Sequence, residues 1–183
     1  MSLRQQNFWF LRHGETDWNT KFLAQGDVDI PLNATGLQQA HDAAQRLQNR
    51  GIAHVIASPL SRAHDTARIT ADLLGLTVEI DEGLREVSFG EHEGVVMTEW
   101  FTDWVEGRFT PPRGETFADL RARARMAINR ALERDGPVLI VAHGALFRAV
   151  RAEMGLEPNV RTPNATPYYC VPGSPCWELS AAM

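Results

Sequence analysis

The chain has 183 residues, 44% of them hydrophobic, with a formal net charge of −5 and a sequence pI near 5.7. That length and apolar content suit one compact domain with a sizeable core, and the acidic balance argues against bulk attraction to nucleic acid or to an anionic membrane surface. No run of 18 apolar residues is available to span a membrane, and the polar start, Met1 to Gln6, lacks a signal-peptide layout, so a cytoplasmic location is expected.

In chain order, residues 7–12 (NFWFLR) predict a buried strand, because the apolar run is short and aromatic-rich. In 36–49, Leu37, Ala40, Ala44 and Leu47 recur on one helical face, with Thr35 as the expected N-cap. A second strand is expected at 53–57 (AHVIA) and a helix over 59–74, opened by Pro59 and stopped by Gly75. A further short strand is expected at 77–80 (TVEI). Met97, Trp100, Phe101, Trp104 and Val105 fall at helical spacing and predict an amphipathic helix packed on the domain. The alternative is that Trp100 or Trp104 faces a pocket.

A helix over 116–134 carries Phe117, Leu120, Ala124, Ala127 and Ala131 on one stripe. It opens on a Thr116-x-x-Asp119 capping pattern and stops at Gly136-Pro137. A strand at 138–142 (VLIVA) and a helix at 144–154 follow. Cys170 and Cys176 flank a turn between two C-terminal strands and are expected as reduced thiols. No internal repeat or low-complexity segment interrupts the series.

Strands alternating with helices indicate an α/β domain with a largely parallel sheet. Ligands in such sheets sit beyond the carboxyl ends of the strands. Arg12-His13-Gly14 and His143-Gly144 each follow a predicted strand, which places both histidines on one sheet edge. Gly14 is expected to let backbone approach a ligand closely. Arg62 lies in the first turn of a helix, where free N–H groups and the dipole favour an anion. Glu86 lies in a loop after 77–80.

Two arginines, two histidines and one carboxyl group form a set suited to metal-free phosphoryl transfer, which needs positioning and charge stabilisation. A neutral imidazole can be the nucleophile, and a protonated carboxylic acid can give its proton to the leaving oxygen. Arg12 and Arg62 disfavour a charged imidazole, so His13 is expected to stay neutral. A rate optimum at mildly acidic to neutral pH is expected. His41, His54, His64 and His92 have no grouping that reads as a metal site.

Leu11-Arg12-His13-Gly14-Glu15-Thr16 resembles the signature of the histidine phosphatase superfamily, the phosphoglycerate mutase-like family. The resemblance runs on through Ser58-Pro59-Leu60-Ser61-Arg62-Ala63 with Thr66-Ala67, and through Leu84-Arg85-Glu86 with Phe89-Gly90 and Glu93-Gly94. It continues in Gly114-Glu115-Thr116 and Val141-Ala142-His143-Gly144, so it covers nearly the whole chain.

It implies a three-layer α/β/α sandwich over a single domain, 1–183, with a short lid at about 91–113 and neither metal nor cofactor. It further implies His13 as the nucleophile, Glu86 as general acid and then base, and Arg12, Arg62 and His143 as ligands of the phosphoryl oxygens. Asn19, Gln25, Gly26 and Gly144 would line the same pocket. Asn164-Ala165-Thr166 matches a C-terminal family segment and is given a structural role.

The family holds phosphatases and mutases. Here the lid is short, and Glu99, Asp103 and Glu106 are expected to repel a second phosphate. The expected activity is therefore hydrolysis of a small phosphorylated substrate. A phosphoglycerate-type mutase and a protein phosphohistidine or phosphoserine phosphatase are the alternatives.

Overall fold

The computed structural model describes residues 2–182. Six strands form one sheet: β1 (Phe8–Arg12), β2 (His54–Ala57), β3 (Val78–Ile80), β4 (Val138–Ala142), β5 (Pro167–Val171) and β6 (Glu178–Ala181), in the order β3-β2-β4-β1-β5-β6. The first four are mutually parallel, while β5 and β6 add an antiparallel edge. The helices are α1 (Asp17–Thr20), α2 (Ala34–Leu47), α3 (Ser61–Leu74), α4 (Glu99–Val105), α5 (Phe117–Ala131) and α6 (Gly144–Glu153).

Strand alternation builds the three layers. Phe8 and Phe10 of β1, with Val138, Ile140 and Ala142 of β4, pack against α5 and α6. Trp9 and Leu11, with Leu139 and Val141, pack against Ala43 and Leu47 of α2 and Ala67 and Ala71 of α3. Both faces are covered, which is why these strands read as continuous apolar runs. Their carboxyl ends meet at one edge, where β1 and β4 run in register from Trp9↔Leu139 to Arg12↔Ala142.

Several local expectations are corrected. The N-cap of α2 is Asn33, whose side chain accepts from the Gly36 N–H, and not Thr35. The helix therefore begins two residues early, and Leu37 turns outward, 43% exposed, while Ala40, Ala44 and Leu47 are buried. Pro59 precedes α3, whose N-cap is Leu60. Gly75 ends α3 at φ 70°, a left-handed position that its missing Cβ makes cheap. Thr116 caps α5 by accepting from the Asp119 N–H, as its sequence pattern predicts. Short 3₁₀ turns at Glu82–Leu84 and Gly90–His92, and helix α1, carry no strong sequence pattern. No helix among the described residues is long and apolar enough to cross a membrane. Cys170, buried in β5, and Cys176 are unbridged.

Candidate active site

Arg12, His13 and His143 are placed by the β1–β4 pairing. The His13 N–H donates to the Ala142 carbonyl at 3.0 Å, extending the ladder one residue past Arg12. The His13 and His143 rings stand 5.3 Å apart. Gly14 is needed for a reason other than ligand approach. A Cβ there would lie 2.3 Å from the Gly36 carbonyl oxygen, so the loop must press against the start of α2. Thr66 of α3 fixes the same loop: its hydroxyl accepts from the Gly14 N–H and donates to the Arg62 carbonyl.

The hydrogen bonds assign the tautomer of His13 and fix the orientation of His143. His13 Nδ1 lies 2.7 Å from the Gly14 carbonyl oxygen. A carbonyl can only accept, so Nδ1 carries the proton and Nε2 keeps its lone pair. His143 Nε2 lies 2.7 Å from Ser58 Oγ, which itself accepts from the Leu60 N–H. The Ser58 hydroxyl retains its proton and a second lone pair, so it fixes the His143 ring in place whichever nitrogen carries the proton. Burial, and then Arg62 and Arg12, hold His13 well below the ordinary imidazole value. Burial and Arg62 do the same for His143. Both rings are neutral across the physiological range.

The floor is strongly cationic. Arg62 is fully buried and donates to the carbonyls of Val28 and Gly26, each at 2.8 Å. Arg12 donates to the Thr162 carbonyl at 2.5 Å. Burial lowers Arg12 to about 10, against the pull of Glu86, so it stays charged near neutrality. Arg12 Nε, Arg62 Nε and His143 Nδ1 are buried without a partner among the described residues, as is His92 Nδ1 elsewhere. An unpaired buried donor costs about 1–3 kcal/mol. Arg12 and Arg62 border one cleft, and two such donors there suit a ligand with several acceptor oxygens.

Glu86 is held at the first turn of α6. Its Oε2 accepts from the Ala145 N–H and its Oε1 from the Leu146 N–H, both at 2.9 Å, and Oε1 accepts again from Val87 at 3.1 Å. Three of the roughly four lone-pair positions of a carboxylate are thereby used, and one on Oε2 is left. Arg123 of α5 clamps the backbone beneath, donating to the carbonyls of Gly83, Arg85 and Glu86 while it pairs with Glu115.

These groups border a cleft of about 50 Å³, room for a few waters or one phosphoryl-sized group. Arg12, His13, Asn19, Gln25, Gly26, Arg62, Glu86 and Gly144 all line it, and His143 lies beside them. Asn19 Oδ1 accepts from the Thr16 N–H and from Asn164 Nδ2, and Gln25 Oε1 accepts from the Thr16 hydroxyl. Both amides thus keep their NH2 groups for the cleft. Asn164 also donates to the His13 carbonyl, which gives its structural role a specific content.

The lid helix packs on the domain as its spacing predicts, the alternative of a tryptophan facing the pocket falls away, and the expectation about the lid carboxylates is corrected. Phe89, Met97 and Phe101 line the cleft, and neither tryptophan does. Trp104 is sealed in the core with its Nε1–H on the Glu115 carbonyl, and Trp100 turns its Nε1–H to the Val96 carbonyl. The lid carboxylates do not line the cleft either: Asp103 and Glu106 pair with Arg108, and Glu99 is exposed. They are poorly placed to repel an anion at the site. Ser58, Thr66, Arg123 and Arg148 escape sequence reasoning as site residues. The one available signal was that Ser58 and Thr66 stand in the same block as Arg62. Among the described residues, no three His, Cys, Asp or Glu side chains are grouped to hold a metal ion.

The family model described as histidine phosphatase superfamily (branch 1) matches residues 8–165. A probable phosphoglycerate mutase GpmB of Yersinia enterocolitica is 38% identical over 163 residues, covering 82% of this chain and 76% of that protein. A mycobacterial glucosyl-3-phosphoglycerate phosphatase, solved with VO3, superposes with a TM-score of 0.83 at 31% identity. That match covers 96% of this chain and 98% of the other. The product of open reading frame Rv3214 from Mycobacterium tuberculosis is 32% identical with a TM-score of 0.82, covering 98% of each chain.

Proposed function

Since the chain belongs to branch 1 of the histidine phosphatase superfamily, we propose that it is a metal-independent phosphomonoesterase acting on a small phosphorylated metabolite through a phosphohistidine. The observation that carries this reading is His13. Its Nδ1–H is fixed on the Gly14 carbonyl, and its neutral Nε2 stands on a floor of buried cations.

In the first step, the Nε2 lone pair forms the bond to phosphorus as the ester P–O bond breaks, and Glu86 passes a proton from Oε2 to the leaving alcohol. Arg12, Arg62 and His143 hold the three equatorial oxygens while charge redistributes over them. In the second step water attacks phosphorus, the P–N bond breaks, Glu86 takes the water proton, and inorganic phosphate leaves. The NH2 groups of Asn19 and Gln25 orient the phosphoryl group, with Gly26 and Gly144 leaving space for it. Residues 91–113 act as a short cover on a single domain, with Met97 and Phe101 facing the organic part of the substrate.

Phosphate release from a panel of phosphomonoesters in EDTA, comparing wild type with His13→Ala, tests this reading. Turnover of about 1–10³ per second that survives EDTA and vanishes in the variant is expected. Loss in EDTA, or activity retained by the variant, would overturn it. A phosphoglycerate mutase reading is favoured by the curated relatives named probable phosphoglycerate mutase. It predicts that label from a phosphoglycerate passes to its positional isomer faster than to water.

A further inference from the structure

The segment between α1 and α2 walls the cleft with Gln25 and Gly26 and forms no helix or strand over residues 24–33. It nevertheless sets the direction of Arg62. The two terminal nitrogens of that guanidinium each donate at 2.8 Å to a carbonyl of this segment, Nη1 to Val28 and Nη2 to Gly26. Arg62 can aim its remaining donors into the cleft only while those carbonyls keep their place. Asp29 pins the far end of the segment, its Oδ1 accepting from the Ser61 N–H and hydroxyl at the start of α3.

The near end is held by a side chain from the opposite wall. Glu93 closes the 3₁₀ turn Gly90–His92. One of its carboxylate oxygens, Oε1, accepts from the Asp27 N–H at 3.0 Å and from the Phe89 N–H at 3.3 Å. Asp27 lies between the two residues whose carbonyls bind Arg62, and Phe89 lies three residues beyond Glu86. A single oxygen thus joins the segment that orients Arg62 to the segment that carries the acid. Backbone bonds fasten the same two walls: the Gly94 N–H donates to the Ala24 carbonyl at 2.8 Å, and the Ala24 N–H to the Val95 carbonyl at 2.9 Å.

Gly26 supplies an independent observation. It sits at φ 52°, and a Cβ there would stand 2.6 Å from Glu93 Oε1 and 3.0 Å from Glu93 Cγ. The turn is therefore built around the carboxylate: glycine adopts the left-handed backbone cheaply and leaves the room that the side chain occupies. The use of the charge also sets Glu93 apart. Glu91, Asp103 and Glu106 pair with arginines of the lid, whereas Glu93 Oε1 is spent on backbone N–H groups, where a charged acceptor strengthens the bond.

We propose that Glu93 is a positioning residue of the phosphoryl site, holding the Gly26–Val28 turn so that its carbonyls aim Arg62 into the cleft. Glu93 does not line the cleft and acts only through Arg62. The proposal rests on Arg62 binding the phosphoryl group, as proposed above. It makes two demands of the side chain: an accepting oxygen, and the length to reach both N–H groups. A charge without that length does not suffice.

The test is a series at position 93, read by calorimetric titration with inorganic phosphate and by kcat/KM for p-nitrophenyl phosphate. That ester needs no proton from Glu86, so its rate reports the phosphoryl floor. Glu93→Ala should weaken phosphate binding about tenfold and lower kcat/KM by up to about 100-fold, the scale of a misplaced binding group. Glu93→Gln keeps an accepting oxygen at the same reach and should stay within about threefold of wild type. Glu93→Asp keeps the charge but is one methylene short, and should lose as much as the alanine variant. The contrast between Gln and Asp decides the matter even if the alanine variant does not fold. In an Arg62→Met background, Glu93→Ala should change kcat/KM by less than about threefold, because the group it positions is gone. Unchanged phosphate affinity in Glu93→Asp, a Gln variant as weak as the Asp variant, or an equal loss with and without Arg62 would overturn the assignment. Ester hydrolysis by wild type tests the premise separately: phosphate affinity that follows the series without turnover overturns the phosphatase reading and leaves the role of Glu93 standing.

Discussion

The floor and the mouth of the cleft are held by opposite means. On the floor, Arg62 and His143 are fully buried, and their partners are two carbonyls of the loop before α2, Gly26 and Val28, and the hydroxyl of Ser58 just past β2. At the mouth, Phe22 is half exposed and Arg161 rests on it through ring stacking alone. A buried group fixed by backbone carbonyls and a buried hydroxyl keeps its geometry at no further cost when substrate arrives, which is what stabilising a transition state needs. A group held by a side-chain stack on a loop can change between relatives without disturbing the fold. The floor thus holds one fixed geometry, and the mouth is open to variation.

That division is open to attack first at Glu86. Glu86→Gln keeps the shape of the side chain and removes its proton-transfer role. For an alkyl phosphate, kcat/KM is expected to fall by about 10²–10⁴. For p-nitrophenyl phosphate, whose phenolate leaves without a proton, the fall should be about tenfold or less. Steady-state rates on the two esters measure this, and an equal loss on both would remove the acid role.

The next effect is on stability. His13 and His143 are neutral when folded, with values well below 6.5, and titrate near 6.5 once unfolded. The unfolded chain therefore binds more protons below that value, so stability is held above about pH 6.5 and lost as pH falls. The slope contributed is up to about 1.4 kcal/mol per pH unit for each ring. Urea unfolding between pH 7.5 and pH 5 should show it, with a shallower slope in His13→Asn/His143→Asn. An unchanged slope in that variant would mean the rings are not buried as neutral groups.

Smaller again is Ser58→Ala, which removes the hydroxyl 2.7 Å from His143 Nε2. A loss of about tenfold in kcat is expected, matching one misplaced hydrogen bond. The specific readout is the nitrogen NMR spectrum of His143, in which the Nε2 shift and the tautomer balance should change. If both stay as in wild type, Ser58 does not position the ring.

The same contrast explains what could be read from the sequence. The strand-end pairs Arg12-His13 and His143-Gly144 each follow a continuous apolar run, and parallel pairing of two such buried strands brings the residues after them to the same edge. All nine residues named for the site do gather at one edge. Ser58 and Arg123 act on neighbours distant in sequence, 85 residues away for Ser58 and His143, and no local pattern marks such a contact. Thr35 lost the cap of α2 to Asn33, because the chain entering that helix is tied to Glu15 by the Asn33 N–H and side chain. Trp100 and Trp104 had the right helical spacing, but spacing alone does not say which edge of an apolar stripe meets the cleft; Met97 and Phe101 do.

The lid gives the finest test of the comparison, because residues on the same short segment should differ. Met97 lines the cleft and is only partly buried, so its thioether is expected to touch the organic part of the substrate. Met97→Ala should raise KM for an aromatic ester about threefold and leave kcat near its starting value, the loss of a few apolar contacts binding ground and transition state alike. Trp100 packs edge-on against Phe89 and His92, away from the cleft. Trp100→Ala should therefore shift KM for aromatic and aliphatic esters by the same small factor, if at all, while lowering the melting temperature. A selective rise for the aromatic ester in the Trp100 variant, with none in the Met97 variant, would mean that α4 turns its other edge to the substrate when the site is filled.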